Sequence, residues 1–260
     1  MWGGPDGGEN VNATSRRWPT PARLAEVLYG AAAWGAMGLV AAPCWLLVVS
    51  LPRLSWRWRA TWVAVHTLSF CLRIPLKTVG APPGLGQAFV VVANHDSILD
   101  SFALVGVFAE PVVFVAGGDL ARHPITGPFL RGLGATFVRV DDGTDRSSAR
   151  AVVAQLAGLA RAGRRLAFFP EGGLSPQPGL RRFQLGAFVV AGEAGRPVVP
   201  VAVVGTRDLL PPGARVPRRH DVEVRFGQPL GPPSPGWRAA HEIARQARGE
   251  IEDLLGEQRA

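Results

Sequence analysis

His95 and Asp100 are the residues whose types and spacing suit general-base chemistry. His95 follows the apolar run 88–93, which predicts a buried strand, and precedes residues 101–108, which can be helical. Residues five apart on a regular helix are about 140° apart, so these side chains can meet only if His95 lies in the loop and Asp100 in the first helical turns. Asp100 would then accept a hydrogen bond from one imidazole nitrogen and leave the other as a base.

Several segments in chain order give this pair its context. Asn94, His95 and Asp100 match Asn-His-x4-Asp, the first motif of the glycerophospholipid acyltransferase family, which the chain resembles. Later segments are similar to further parts of that family: Phe169–Gly172 to its Phe-Pro-Glu-Gly motif, Phe183–Ala187 to a segment that follows it, and Val199–Val201 to its Val-Pro-Val motif. The resemblance extends from about Val79 to Leu230, well over half of the chain.

The resemblance implies an enzyme that moves a fatty acyl group from acyl-CoA or acyl carrier protein to a hydroxyl group of a lysophospholipid. The leading acceptor is 1-acylglycerol-3-phosphate, which gives phosphatidic acid. Such a reaction needs a base, a group that stabilises the oxyanion, and close placement of both substrates. His95 is the predicted base and Asp100 orients it, with direct attack of the hydroxyl on the thioester. The resemblance implies neither a metal nor a cofactor.

Asn94 and Arg139 are candidates for binding the substrate. Many family members end the region corresponding to residues 117–140 with an arginine that binds the acceptor phosphate. Here the aligned position is Val140, and Arg139 lies one residue earlier. A shift of one residue along a strand changes the face on which a side chain lies. A phosphate ligand and an exposed strand arginine are therefore both open interpretations of Arg139.

The Phe-Pro-Glu-Gly segment supplies two further candidates. Glu171 is predicted either to bind the acceptor's glycerol hydroxyl or to hold the loops of the site. Gly172, at a strand end, would let a ligand approach the backbone and leave amides available to an anion. The family motif usually continues with Thr-Arg or Ser-Arg, whereas this chain has Gly173-Leu174. Arg181 and Arg182 are the predicted source of the missing positive charge, unless they are simply surface arginines.

Val199 and Pro200 fall in the region that the family places near the acyl donor. A proline inside the β run 198–204 implies an edge strand or a bulge. The alternative is a strand irregularity with no role in ligand binding. Gly205-Thr206 extends the resemblance beyond this strand.

Other functions remain open at this point. The acceptor could be another lysolipid or a glycolipid, because the motif arginine is missing. The chain could also be a non-catalytic membrane lipid-binding protein that kept the fold. Ser97 could serve a serine or thioester hydrolase together with His95, but no Gly-x-Ser-x-Gly elbow surrounds it. Asp96 or Ser97 more simply predicts an N-cap for the following helix.

The composition favours a phosphate-bearing partner and a membrane. The 260-residue chain has a formal net charge of +8, and Lys77 is its only lysine, so nearly all of the positive charge is arginine. A basic surface suits anionic lipid headgroups or coenzyme A. The sequence has no zinc-finger spacing and no RNA-binding aromatic motif, which argues against nucleic acid. Cys44 and Cys71 lack metal-ligand spacing and are interpreted as small apolar residues.

The N-terminal part predicts membrane association. Val27–Pro52 contains no charged residue and is long enough to span a hydrocarbon core of about 30 Å as a helix, with an interruption at Pro43. A membrane-inserted hairpin, a signal peptide and a soluble buried helix are the alternatives. The next segment combines arginines with Trp56, Trp58 and Trp62, which predicts a helix at the level of the headgroups. The catalytic part is expected in the cytoplasm because the acyl donors are there.

Beyond residue 81, strand and helix signals alternate, which predicts an α/β fold with a mixed, largely parallel sheet flanked by helices. We divide the chain into a flexible tail (1–22), N-terminal membrane-associating helices (23–78) and an acyltransferase domain with a C-terminal helix (79–260). The predicted strands are 89–93, 112–116, 135–140, 165–169, 198–204 and 222–226, and the predicted helices are 98–108, 147–162, 181–194 and 237–255.

Overall fold

A computed structural model describes residues 21–81, 84, 87–138, 146–175, 177–211, 214 and 217–256. The helices within these ranges are α1 (Pro21–Ser50), α2 (Leu54–Leu72), α3 (Asp100–Val107), α4 (Gly118–Arg122), α5 (Thr126–Gly132), α6 (Arg146–Arg161), α7 (Gly186–Ala194), α8 (Thr206–Leu209) and α9 (Trp237–Gly256). The strands are β1 (Leu76–Val79), β2 (Val90–Ala93), β3 (Val112–Gly117), β4 (Thr136–Val138), β5 (Arg165–Phe168), β6 (Val198–Val204) and β7 (Val222–Phe226).

The strands form one seven-stranded sheet in the order β1-β7-β6-β2-β5-β3-β4. Every neighbouring pair is parallel except β6 and β7, which are antiparallel. The predicted α/β class with a mixed, largely parallel sheet is therefore confirmed. β2 and β6 are buried along their whole length, which explains why they read as unbroken apolar runs rather than as alternating patterns.

Helices cover both faces of this sheet. On one face the strands pack against α1, α2 and α3 through residues that include Val48, Trp58 and Leu104. On the other face they pack against α6, α7 and α9, whose contacts include Phe188 and Ile251. The result is a three-layer arrangement in which the N-terminal helices are part of the apolar core.

α1 contains a candidate membrane span, Tyr29–Ser50, with a mean hydropathy of 1.8 and 17% of its apolar window buried. Leu39 and Leu46 are 78% and 59% exposed on this helix. The predicted interruption at Pro43 is wrong, because α1 runs through it. A proline in a helix removes the hydrogen bond that its nitrogen would have donated, here to the carbonyl group of Leu39, and its ring crowds that carbonyl, but α1 continues beyond Pro43.

α2 differs from the prediction at Trp58. This side chain is 1% exposed, and its indole N–H donates to the carbonyl oxygen of Phe108 at 2.9 Å. Trp58 is therefore a core residue rather than a headgroup-level one, because its polar nitrogen finds a partner inside the protein. Trp56 is 47% exposed, and the guanidinium of Arg53 lies 4.6 Å from its ring centroid.

Two boundaries also differ from the sequence-based expectations. The helix predicted over 181–194 begins only at Gly186, because the preceding residues bond to the loop after β5; the N–H of Gln184 donates to the carbonyl of Pro170 at 2.7 Å. Pro200 lies in an internal strand, so the edge-strand alternative is wrong. The carbonyl of Pro200 accepts the N–H of Gly227, so the nitrogen of Pro200 faces the same neighbouring segment. The regular pairing of β6 with β7 runs only from Val201 onwards, so the missing N–H of the proline removes no bond of that ladder.

Candidate active site

Three neighbouring strands, β6, β2 and β5, are parallel and end at the same edge of the sheet. The loop after β2 carries His95, the loop after β5 carries Glu171, and α8, which follows β6, begins at Thr206. Ligands of open α/β sheets bind outside the carboxyl ends of the strands. This edge therefore gathers chemistry-bearing residues that are far apart in the sequence.

His95 and Asp100 meet in the predicted way. His95 lies in the loop, α3 begins at Asp100, and the imidazole Nδ1 is 2.9 Å from Oδ2 of Asp100. An ionised carboxylate can only accept hydrogen bonds, so in this contact Nδ1 carries the proton and Nε2 has the free lone pair. The His95 side chain is 16% exposed and that of Asp100 is fully buried. The arrangement suits a general base.

Both carboxylate oxygens of Asp100 accept hydrogen bonds. Its Oδ2 accepts from His95 Nδ1 and from the backbone N–H groups of Asp96 and Ser97, at 2.8 and 2.9 Å. Its Oδ1 accepts from the hydroxyl of Thr206. These donors offset the cost of burying a negative charge. They also fix the carboxylate, and with it the orientation of the imidazole.

The predicted N-cap by Asp96 or Ser97 is wrong. The N-cap position of α3 is Leu99, which makes no side-chain cap bond. The reason is that Asp100, the first helical residue, itself accepts the N–H groups of the residues that precede the helix. Ser97 is 4% exposed, and its Oγ accepts the N–H of Leu99 at 3.3 Å.

Phe169 restrains the orientation of the His95 imidazole ring. Its ring stacks on the His95 imidazole with centroids 4.0 Å apart and an angle of 15° between the planes. With Nδ1 bonded to Asp100 and one ring face covered by Phe169, the imidazole has little freedom to rotate. In the sequence, Phe169 is recognisable only as the first residue of the Phe-Pro-Glu-Gly segment.

Asn94 joins β2 to β6. Its Oδ1 accepts the N–H of Val203 at 2.7 Å, and its Nδ2 donates to the Val203 carbonyl at 2.9 Å and to Oδ2 of Asp96 at 3.0 Å. The residue is 1% exposed. Asn94 thus anchors the catalytic loop to the neighbouring strand, and its assignment to substrate binding stays a prediction.

Glu171 connects the loops that follow β2 and β5. Its Oε1 accepts the backbone N–H of His95 at 2.9 Å, and its Oε2 accepts the backbone N–H of Arg181 at 3.0 Å. These contacts match the loop-holding role among the two predicted for Glu171. The N–H of Gly172 donates to the carbonyl of Phe169 at 3.1 Å, so the expectation that this amide is available to an anion is wrong.

Gly172 is required by the shape of its turn. Its φ is +78°, a backbone angle that residues with a side chain rarely adopt, and a Cβ placed there would lie 2.2 Å from Nε2 of Gln184. The glycine therefore lets Gln184 pack directly against the backbone next to Glu171. Whether it also contacts a substrate stays a prediction.

Asp96 and Arg207 form an ion pair beside the catalytic loop. Nη1 of Arg207 is 3.6 Å from Oδ1 of Asp96 and 3.1 Å from the carbonyl oxygen of Ser175. Burial raises the pKa of Asp96, and the charges of Asp100 and Glu171 add to that rise, while the hydrogen bond from Asn94 and the charge of Arg207 oppose it. The site therefore concentrates carboxylates, and Arg207 contributes positive charge between two of its loops.

Sequence reasoning did not assign roles to Thr206 and Arg207. A usable signal was present, because Gly205 follows a buried apolar strand as Asn94 does, and such junctions face the same edge of a parallel sheet. Gly205 has a φ of +87°, and a Cβ there would lie 2.0 Å from the carbonyl oxygen of Asp221. Only glycine fits this turn, which delivers Thr206 to Asp100.

A family model described as Acyltransferase matches residues 75–204, half of the chain, and the match includes His95, Asp100 and Glu171. The chain belongs to the acyltransferase family. The family predicted from the motifs is thereby confirmed, as is the assignment as an O-acyltransferase. Within the described ranges, no group of three or more His, Cys, Asp or Glu residues is arranged to hold a metal ion.

Several named acyltransferases are similar to this chain. The yeast (Saccharomyces cerevisiae) 1-acyl-sn-glycerol-3-phosphate acyltransferase is 28% identical over 208 residues, which are 76% of this chain and 67% of that protein. The lyso-ornithine lipid O-acyltransferase of Pseudomonas aeruginosa is 30% identical over 197 residues, 70% of this chain and 73% of that protein. A 1-acyl-sn-glycerol-3-phosphate acyltransferase of Chlamydomonas reinhardtii is 30% identical over 72% of this chain, which spans only 54% of that relative.

The crystal structure of the 1-acyl-sn-glycerophosphate acyltransferase of Thermotoga maritima has the same fold. It superposes with a TM-score of 0.72 and 21% sequence identity, covering 91% of this chain and 97% of that one. The likeness includes the N-terminal helices, since the covered share is larger than the whole part of the chain from β1 onwards.

The remaining predicted site residues of this acyltransferase have different surroundings. Arg182 is exposed, and Arg139 lies outside the described residues. Val199 and Pro200 are buried in β6, where they face Val91 and Val92 of β2. Their roles in phosphate binding and at the acyl donor stay predictions.

Proposed function

We propose that this acyltransferase transfers a fatty acyl group from a thioester donor to the free hydroxyl of 1-acylglycerol-3-phosphate, which gives phosphatidic acid. The observation that carries the proposal is the His95–Asp100 pair, with Nδ1 bonded to a buried carboxylate and Nε2 left basic. The pair lies at the sheet edge where α/β proteins bind their ligands.

In this mechanism, Nε2 of His95 takes the proton of the acceptor hydroxyl while its oxygen attacks the thioester carbonyl carbon. The tetrahedral intermediate then collapses, the carbon–sulfur bond breaks, and the imidazolium returns the proton to the leaving thiolate. Asp100 stabilises the imidazolium while it carries that charge. The acyl group never becomes attached to the protein.

The direct route is favoured over a covalent serine intermediate. Ser97 is the hydroxyl residue nearest to His95 in sequence, but it is buried and its Oγ accepts a backbone N–H. A serine nucleophile needs its hydroxyl bonded to the base and open to the substrate. Among the described hydrogen bonds, none joins the Ser97 hydroxyl to the imidazole of His95.

The phosphate acceptor is supported by what the relatives are called. Those from yeast and Chlamydomonas are both named 1-acyl-sn-glycerol-3-phosphate acyltransferases. For this chain we assign the acceptor's headgroup to Arg182, which is exposed close to the loop after β5, and to Arg139. Asn94, Glu171 and Gly172 would line the acceptor's glycerol end.

An acceptor without a phosphate is the second candidate. One relative is named a lyso-ornithine lipid O-acyltransferase, and this chain covers 73% of it. The same alternative is favoured by Gly173-Leu174, which replaces the Thr-Arg or Ser-Arg expected after the Phe-Pro-Glu-Gly motif. Both acceptors offer a hydroxyl to the same base, so the chemistry at His95 is unchanged.

We also propose acyl-CoA or acyl carrier protein as the donor, with Val199 and Pro200 near its acyl end. Membrane association is supported by the apolar, mostly unburied window Tyr29–Ser50. A cytoplasmic catalytic domain follows from where these donors are made. The lipid acceptor would then be reached from the membrane surface.

The test is acyl transfer by the full chain in liposomes. Labelled acyl-CoA and acylated carrier protein would each be offered with 1-acylglycerol-3-phosphate, lyso-ornithine lipid and a lysoglycolipid. We expect labelled phosphatidic acid as the main product. A main product from lyso-ornithine lipid would select the second candidate, and absence of transfer with every pair would reject the enzyme proposal.

A further inference from the structure

Arg181, predicted as a source of positive charge for the substrate, bonds within the protein through its backbone N–H, Nε and Nη2, while its side chain stays 38% exposed. Its backbone N–H and its Nε both donate to Oε2 of Glu171, at 3.0 and 3.3 Å, and its Nη2 donates to the carbonyl oxygen of Gly173. A guanidinium held by a carboxylate on one edge and a carbonyl on another is fixed in one orientation. Its charge is used to neutralise Glu171.

Glu171 is in turn the residue that holds the catalytic loop. Its side chain is 4% exposed, and its second oxygen, Oε1, accepts the backbone N–H of His95 at 2.9 Å. A carboxylate this deeply buried requires both a neutralising charge and hydrogen bonds to stay in place. Without Arg181, the carboxylate would turn towards water and release the His95 amide.

We propose that Arg181 is a positioning residue: it clamps Glu171 against the backbone of His95 and so fixes the catalytic imidazole relative to both substrates. This inference rests on the proposed role of His95 as the base. It assigns the two neighbouring arginines to different tasks, since Arg182 is exposed and bonds to none of these groups among the described contacts.

The clamp extends to the C-terminal helix. Arg248 of α9 donates through Nη2 to the carbonyl of Leu180 at 3.1 Å and through Nε to the carbonyl of Arg181 at 3.4 Å. Glu252, one turn further along α9, lies 2.7 Å from Nη2 of Arg248. A continuous series of polar contacts thus leads from α9 through Arg181 and Glu171 to the catalytic loop.

The first test compares Arg181→Gln, Arg181→Lys, Glu171→Gln and the double variant in the full chain, with Arg245→Gln as matched control. Arg245 also pairs with a glutamate, but on the exposed side of α9. We expect Arg181→Gln to lower kcat by up to about 100-fold, because small displacements of a catalytic group are costly. Lysine should restore part of the loss, and the control should keep full activity.

The double variant distinguishes an Arg181 that holds Glu171 in place from an Arg181 that binds the acceptor phosphate. If Arg181 acts through Glu171, replacing Arg181 in the Glu171→Gln background should lower kcat by less than about threefold, because the effects of the two substitutions are coupled. A ligand of the acceptor phosphate would behave differently: the KM for 1-acylglycerol-3-phosphate would rise, kcat would stay the same, and the effects of the two substitutions would multiply. That pattern would overturn the proposal.

A second readout does not depend on activity. Hydrogen exchange of the His95 amide should be at least about tenfold faster in Arg181→Gln than in wild type, because its protection comes from Glu171. If Arg181→Gln does not fold, Arg248→Gln should give a smaller increase of the same sign. Unchanged exchange overturns the clamp even in an active enzyme, whereas faster exchange in a protein without transferase activity would reject only the proposed function.

Discussion

Asp100 is the residue on which the geometry of the site depends most, because one buried carboxylate orients the imidazole, closes the loop before α3 and receives the hydroxyl of Thr206. Thr206→Val keeps the shape of the side chain but removes a donor to a buried charge, which should lower the free energy of unfolding by about 1–3 kcal/mol and reduce kcat. Denaturant unfolding and initial rates measure both effects.

Thr78→Val is the control for this substitution. Thr78 is exposed on β1, so its replacement should change the free energy of unfolding by less than about 0.5 kcal/mol. Thr206→Ser, which keeps the hydroxyl, should recover most of the activity. Wild-type stability and rate in Thr206→Val would show that Asp100 does not depend on this donor.

Asp96 gives the site a pH-dependent stability. Burial raises the pKa of Asp96 in the folded protein, so the folded chain holds this proton more tightly than the unfolded chain does. A raised folded-state pKa adds stability that is fully present below the unfolded-state pKa and is lost as the pH rises through the folded-state value. At neutral pH the Asp96 carboxylate is therefore a net cost of folding.

Asp96→Asn is accordingly expected to raise the Tm at neutral pH, and this gain should shrink as the pH falls through the range between the two pKa values of Asp96. Thermal unfolding of both proteins across a pH series measures the difference. A variant less stable than wild type at neutral pH would mean that the ion pair with Arg207 outweighs the burial of the carboxylate.

At this scale, the sequence was sufficient for His95 and Asp100 because their meeting depends only on a local strand-loop-helix pattern. It was not sufficient for Thr206 or for the bonds of Arg181. Those contacts depend on which strands lie next to each other, and no local pattern specifies that β6 and β5 flank β2. The prediction for Trp58 was wrong for a similar reason, since its hydrogen-bond partner, the carbonyl of Phe108, lies at the end of α3, far away in the sequence.

At the scale of elements, α1 is held to α5 by close backbone packing. A Cβ added at Gly132 of α5 would lie 2.7 Å from Cγ1 and 2.8 Å from the carbonyl oxygen of Val48 in α1. Gly132→Ala should therefore separate the two helices and lower the free energy of unfolding by about 1–3 kcal/mol, the usual cost of overpacking. Thermal or denaturant unfolding in detergent measures this loss.

Gly158→Ala in α6 is the matched control, because a Cβ there meets nothing within 4 Å. Alanine is the better helix former, so this control should be at least as stable as wild type. Equal stability of the two variants would show that α1 does not pack closely against α5.

The start of α7 also depends on contacts outside the helix. The sequence predicts a helix over 181–194, but its first residues form hydrogen bonds to the loop after β5, and the helix begins only at Gly186.

At the scale of the whole molecule, the proposed membrane association predicts that the exposed apolar face of α1 is the side that meets the membrane. Leu39 and Leu46 are 78% and 59% exposed there. Replacing both with Asp should reduce binding to liposomes by at least about tenfold, because a single Asp in an apolar span costs about 3 kcal/mol. Flotation of the full chain with liposomes measures the bound fraction.

Trp237→Asp provides the control for flotation, because Trp237 is 68% exposed but lies on α9, across the sheet from α1. It should bind liposomes as wild type does. Reduced binding of Trp237→Asp with normal binding of the α1 variant would assign the membrane to the opposite face. The alternation of strands and helices predicted the architecture, while the packing of α1 and α2 onto the sheet required the structure.

The assignment of His95 as the general base is tested most directly by acyl transfer with His95→Ala beside wild type, in the same liposomes and with the same donor and acceptor. General-base catalysis contributes about 100- to 10,000-fold, so the variant should lose at least about 100-fold in kcat while its Tm stays close to that of wild type. A folded His95→Ala protein that keeps more than about a tenth of the wild-type rate would contradict the assignment of His95 as the base.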